Sequence, residues 1–246
     1  MACLQVVPDV PNAVVLVIRD AAGSGGTAGT RLLIAQAPAP YDDLDTALVA
    51  GHRWAIDSAD ALVVDGYALL APRSAAAVDL AMSLAHRSGV PIWFDVVPHR
   101  IDERFSLAEL APWLERASLV TVEAPTLARL CDVPVRDSYD DGSVLSLVEG
   151  LPDRLRASGR TWFVRYGLGN MDRTVAVGPG RYRTAYATGY AHAAEPTGYG
   201  YRVGAAELKW WLLNAASAPG MALLCAGLGR SCVRPELLAA ASWGTR

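Results

Sequence analysis

The sequence predicts an α/β protein: three layers, with a mainly parallel twisted sheet carrying helices on both faces. Three observations predict it. Short strand-like runs recur at 61–65 (ALVVD), 91–95 (PIWFD), 118–123 (SLVTVE) and 161–166 (TWFVRY). Between them lie stretches with helical periodicity, the crossovers that parallel strands require. The chain of 246 residues is 52% hydrophobic and 19% charged, enough for one large buried core.

The elements follow in order. Ala13–Asp20 and Thr30–Gln36 read as two strands joined by a glycine-rich turn. Ala61–Asp65 is a buried strand, Ser74–Arg87 a helix and Pro91–Asp95 the next strand. Leu107–Arg116 (helix), Ser118–Glu123 (strand), Thr126–Leu130 (short helix), Val144–Ser158 (helix) and Thr161–Tyr166 (strand) continue the alternation. Thr174–Val177 and Tyr182–Thr188 form an antiparallel hairpin appended to the sheet. Two helices close the chain, the first from roughly Arg202 to Asn214, with a break at Pro219-Gly220. On that first helix Leu208, Trp211 and Leu212 share a face and read as core, and Trp210-Trp211 as core or dimer packing. Neither a repeat nor a linker interrupts the pattern, so residues 1–246 are expected to be one domain.

Composition excludes several classes. A net charge of −3 argues against a nucleic-acid surface, which needs clustered positive charge. Lys209 is the sole lysine, so arginine supplies the cations. Cys3, Cys131, Cys225 and Cys232 have no metal-ligand spacing and read as thiols of a reducing compartment. No basic-then-apolar leader and no run of about 18 apolar residues occurs, so a cytoplasmic, membrane-free protein is expected. Nucleophile elbows, paired metal-binding histidines and Cys–His motifs do not appear.

The most informative stretch is Glu195-Pro-Thr-Gly-Tyr-Gly-Tyr201, a glycine-punctuated turn running into a helix. Gly198 and Gly200 can take dihedrals closed to other residues and let backbone N–H groups converge on an anion. The positive end of the helix dipole points to the same place.

On these residues the chain resembles the ribokinase-like (PfkB) sugar and nucleoside kinases, whose signature reads approximately D-T-x-G-A-G-D. Gly198 and Gly200 match it, Tyr199 replaces a small residue, and Tyr201 stands where the family keeps its catalytic Asp. Other segments resemble the family in order. DSADALVVDGYALL is similar to the strand and loop reaching the substrate side, which implicates Asp65, Gly66 and Tyr67. GVPIWFDVVPH is similar to the next strand, ASLVTVEAPTLARL to the K-P-N-x-x-E segment, and RTWFVRYGLGN to T-x-G-x-x-G. The resemblance implies the ribokinase-like fold, with ATP and Mg as cofactors if kinase activity is retained. It also implies losses. Members are commonly longer at the N-terminus, so the lid over the substrate is expected to be reduced, missing or supplied by a partner. Glu123 stands for the metal-associated Asn, Thr126 for the Glu, Arg165 for a Thr near the nucleotide phosphates, and Asn170 for a glycine.

Ligands of open α/β sheets sit at the carboxyl ends of strands. That rule gathers Asp65, Asp95, Glu123, Gly167 and the Gly198–Tyr201 turn. Phosphoryl transfer needs positioning, charge stabilisation and an acceptor for the hydroxyl proton. Tyr201 is a poor base, since lowering a phenol by about 3 units costs about 4 kcal/mol. Arg165 could pair with a phosphate or fill the nucleotide pocket. Asp95 and His99 are a candidate proton-transfer pair, and His192 a candidate neighbour of the site. Three readings remain open: a diverged small-molecule-binding protein or non-kinase enzyme; an active kinase using a displaced carboxylate, Asp95 or Glu195; and a pseudoenzyme subunit paired with another protein. A small-molecule ligand and a homodimer or partner subunit are the expected partners.

Overall fold

The computed structural model describes residues 43–97, 101–156, 159–167, 172–178, 183–188 and 199–214, with the backbone of two strands at 15–19 and 31–35. Those two strands, β1 (Val15–Arg19) and β2 (Arg31–Ala35), pair antiparallel with Val17 opposite Leu33. This is the hairpin its flanking apolar runs predict. The chain divides into two compact units, Met1–Pro98 and His99–Arg246.

In the first unit, helices α1 (Thr46–Gly51) and α2 (Arg53–Asp57) occupy a stretch for which the sequence predicts no element. The Asp45 carboxylate starts α1 by accepting from the Ala47 N–H at 2.8 Å. Strand β3 (Leu62–Asp65) leads into a 3₁₀ turn at Gly66–Leu69, then α3 (Pro72–Arg87) and β4 (Ile92–Val96). Helix α3 begins earlier than predicted because Pro72, with its preset φ and missing N–H, fits the first turn. It buries Ala77, Val78, Met82, Leu84 and Ala85. Strands β3 and β4 are parallel, in register from Leu62 with Ile92 to Asp65 with Asp95.

The second unit runs α4 (Leu107–Arg116), β5 (Leu119–Glu123), α5 (Ala124–Leu130), α6 (Asp141–Glu149), α7 (Asp153–Arg156), β6 (Thr161–Tyr166), β7 (Arg173–Val177), β8 (Arg183–Ala187) and α8 (Tyr199–Asn214). Helix α4 starts with a capping box in which Ser106 and Glu109 satisfy one another's backbone N–H groups, at 3.3 and 2.7 Å. Strands β5 and β6 are parallel; β7 and β8 follow antiparallel, the predicted hairpin. Every residue of β5 and β6 is buried, as strands covered on both faces should be.

Two expectations are corrected. The helix predicted over Val144–Ser158 is two helices, α6 and α7, because Pro152 cannot donate within a continuing helix. Helix α8 starts at Tyr199, and its buried face is Val203, Ala206, Glu207 and Trp210. Leu208, Trp211 and Leu212 are only half-buried. Trp210 packs edge-on against Phe163 with ring centroids 6.0 Å apart. The predicted second C-terminal helix lies outside the described residues.

A buried cation ties the second unit together. The Arg160 guanidinium donates to the carbonyls of Ala117, Leu155 and Glu115 at 2.9, 2.6 and 2.8 Å, fastening the carboxyl ends of α4 and α7. Burial holds its pKa below the usual arginine value. Among the described residues no helix is long and apolar enough to cross a membrane.

Candidate functional site

At the end of β3, the Asp65 carboxylate accepts from the Tyr67 N–H at 2.8 Å and so caps the following turn. Gly66 is buried and Tyr67 is exposed. Asp95 lies beside Asp65 in parallel register, which sends both side chains to one face of the sheet. Asp95 is only 5% exposed. The fold therefore brings together two of the carboxylates singled out in the sequence.

In the second unit a row of polar side chains crosses the sheet where β5, β6 and β8 end and β7 begins. Register places Glu123 (β5) beside Arg165 (β6), Arg165 beside Thr174 (β7), and Thr174 beside Tyr186 (β8). In-register residues share a face, so the four line one side of the sheet. All four are buried. Glu207 of α8 completes the group: its Oε2 accepts from Arg165 Nη2 at 2.9 Å and its Oε1 from the Tyr186 hydroxyl at 2.5 Å. The Arg165 and Glu207 side chains are 4% and 0% exposed. The Thr174 hydroxyl, in the same row, is buried with no hydrogen-bond partner.

The next residue on β6 points the other way. The Tyr166 hydroxyl donates to Asp141 at the start of α6 and accepts from Arg173 Nε at 3.0 Å, while Arg173 Nη2 pairs with Asp141 at 3.2 Å. Burial first, then the Asp141 contact, pushes the Tyr166 phenol up to about 12. Gly167 follows with φ +85°, where a Cβ would stand 3.1 Å from the Asp172 Cβ. Both the backbone and the close approach call for glycine there.

The predicted anion turn is described only from Tyr199 onward. Tyr199 and Gly200 belong to the first turn of α8, so Gly200 is helical and does not form a turn ahead of the helix. The Tyr199 ring is buried; its hydroxyl donates to the Thr188 carbonyl at 2.5 Å, and Arg202 stacks 5.1 Å from the ring centroid. Tyr201 is 51% exposed. Gly198, Glu195, His99, His192 and Asn170 lie outside the described residues. Thr126, in the metal-associated segment, is buried and accepts from Arg129, which pairs with Asp102 at 3.0 Å. Among the described residues no group of three or more His, Cys, Asp or Glu side chains is arranged to hold a metal ion.

Glu207, Tyr186 and Thr174 escape a sequence-only search. One signal pointed to the first of them. Glu207 is a carboxylate flanked at helical spacing by Val203, Ala206 and Trp210, and an acid on an apolar face needs a buried partner.

No family model matches the chain, and no curated protein matches it significantly. Solved structures do match. An adenosine kinase from Sinorhizobium meliloti superposes with TM-score 0.63 at 15% identity, covering 85% of this chain and 62% of that one. An Anopheles gambiae adenosine kinase in complex with P1,P4-di(adenosine-5) tetraphosphate gives 0.66 at 14% identity, over 96% and 67% of the two chains. A fructokinase from Vibrio cholerae O395 with fructose, ADP and calcium ion bound gives 0.62 at 16%, over 99% and 72%. The chain thus spans less than two thirds of the Sinorhizobium enzyme. The fold is the ribokinase-like α/β fold of these small-molecule kinases.

Proposed function

We propose that this protein is a diverged relative of the ribokinase-like small-molecule kinases. It binds a small molecule at the carboxyl ends of its strands and does not carry out ordinary ATP-dependent phosphoryl transfer. The observation that carries this reading is the Arg165 guanidinium held by the Glu207 carboxylate at 2.9 Å in a fully buried pair. Where the resemblance has a small Thr near the nucleotide phosphates, this chain places a guanidinium whose charge is turned toward α8. The exposed phenol of Tyr201, at the resemblance's place for the proton acceptor, supports the same reading. A phenol is a hydrogen-bond donor there, where the resemblance has a carboxylate acceptor. Both observations support a crevice that does not take ATP in the ordinary way.

Calorimetry with Mg-ATP, followed by a phosphotransfer assay with adenosine and fructose, tests it. The expected result is no magnesium-dependent tight binding and no turnover; either one refutes the reading. A second reading, a kinase with a displaced base, is supported by the buried Asp95 carboxylate beside Asp65. Under that reading Asp95→Asn abolishes a transfer activity that the unaltered chain possesses.

A further inference from the structure

Arg165 and Glu207 lie 42 residues apart and meet with 4% and 0% of their side chains exposed. The carboxylate is chelated from two directions, by Arg165 Nη2 on one oxygen and by the Tyr186 hydroxyl on the other, at 2.9 and 2.5 Å. A guanidinium plus a hydroxyl converging on two oxygens is the donor set that also recognises a free oxyanion. The Thr174 hydroxyl stands in register between Arg165 and Tyr186, buried and with no hydrogen-bond partner. It is a donor in reserve on the same face.

We infer that the sheet holds an oxyanion site built from Arg165, Tyr186 and Thr174, and that Glu207 is its resident anion. The carboxylate of α8 occupies the place an external carboxylate or phosphate oxygen would take. It also fastens α8, and so the first-turn residues Tyr199, Gly200 and Tyr201, onto β6 and β8. The site is closed to outside anions for as long as Glu207 remains in it. This rests on the proposed function and deepens it by naming the anion that occupies the end of β6.

Removing the resident anion opens the site. Glu207→Ala leaves a carboxylate-sized space facing the guanidinium, and sodium formate is the probe that fits it. The full-length variant is expected to melt well below the unaltered protein and to regain a large part of that loss as formate is raised through the millimolar range. Sodium chloride at matched ionic strength restores much less. Adding Arg165→Met to Glu207→Ala abolishes the formate response. The unaltered protein shows no shift specific to formate or inorganic phosphate. Equal responses to formate and chloride overturn the inference, as does a formate response that survives the loss of Arg165. If Glu207→Ala does not fold in chloride, its refolding yield is compared in formate and in chloride, and equal yields overturn the inference. The two conclusions fail separately. Mg-ATP binding by the unaltered chain refutes the proposed function and leaves the formate result standing; absent rescue refutes the resident anion and leaves the calorimetry standing.

Discussion

Two neighbouring residues of β6, Arg165 and Tyr166, point to opposite faces of the sheet, and each anchors a cluster of arginine, tyrosine and carboxylate. On one face are Arg165, Tyr186 and Glu207; on the other, Tyr166, Arg173 and Asp141. The chemistry is the same and the setting is not. The Arg165–Glu207 pair is 4% and 0% exposed, whereas the Arg173 and Asp141 side chains are 41% and 52% exposed. In the first cluster water reaches neither charge, and protein groups take its place: Arg165 and the Tyr186 hydroxyl both donate to Glu207. In the second, solvent screens the ions, and the buried part is a neutral phenol. Burial, more than the list of contacts, decides which cluster the fold depends on.

The comparison can be broken from either side. The largest effect is expected on the buried face. Arg165→Met leaves the Glu207 carboxylate buried without its cation, the Tyr186 hydroxyl still donating, and should cost about 3–5 kcal/mol in denaturant unfolding, as breaking a buried pair does. Combining it with Glu207→Leu should recover most of that loss, because two apolar side chains need no partner; the Tyr186 hydroxyl left behind costs about 1 kcal/mol. A double variant as unstable as the single one would show that the cluster's value lies elsewhere than in mutual neutralisation.

A smaller effect is expected on the other face. Asp141→Ala removes a half-exposed partner of Arg173 and should cost about 1 kcal/mol or less by the same measurement. A loss matching that of Arg165→Met would erase the distinction drawn from exposure.

The last effect is absent at neutral pH and concerns alkaline solution alone. The Tyr166 phenol is raised from its ordinary value to about 12 in the folded protein. Between roughly pH 10 and 12 the unfolded chain gives up a proton that the folded chain keeps. Stability is therefore full below the ordinary phenol range and falls as pH rises through that window. Tyr166→Phe should lack this component, giving a shallower decline over the same window in unfolding measurements. Identical slopes for the two proteins would remove Tyr166 as the titrating group.

Local patterns were readable where local physics sets them. Leu107–Arg116 and Thr161–Tyr166 have the predicted bounds, the first because Ser106 and Glu109 form a capping box within four residues. Where Pro72 and Pro152 act, the departures from the predicted helices also have local causes. Of the candidate site, the sequence marked Asp65, Asp95, Glu123 and Arg165 as strand-end residues. It did not show what Arg165 faces. The stripe of Leu208, Trp211 and Leu212 predicted one orientation of α8, and the helix packs another face inward.

From its sequence alone the chain determined its α/β class, the order of its strands, and the ends of strands at which its charges stand, since periodicity and capping act over a few residues. Only the tertiary structure decided the partner of Arg165 and the face of α8 that packs inward. Glu207 comes from 42 positions away, and a buried charge selects its neighbour by which opposite charge the packed fold delivers, a choice that no local spacing encodes.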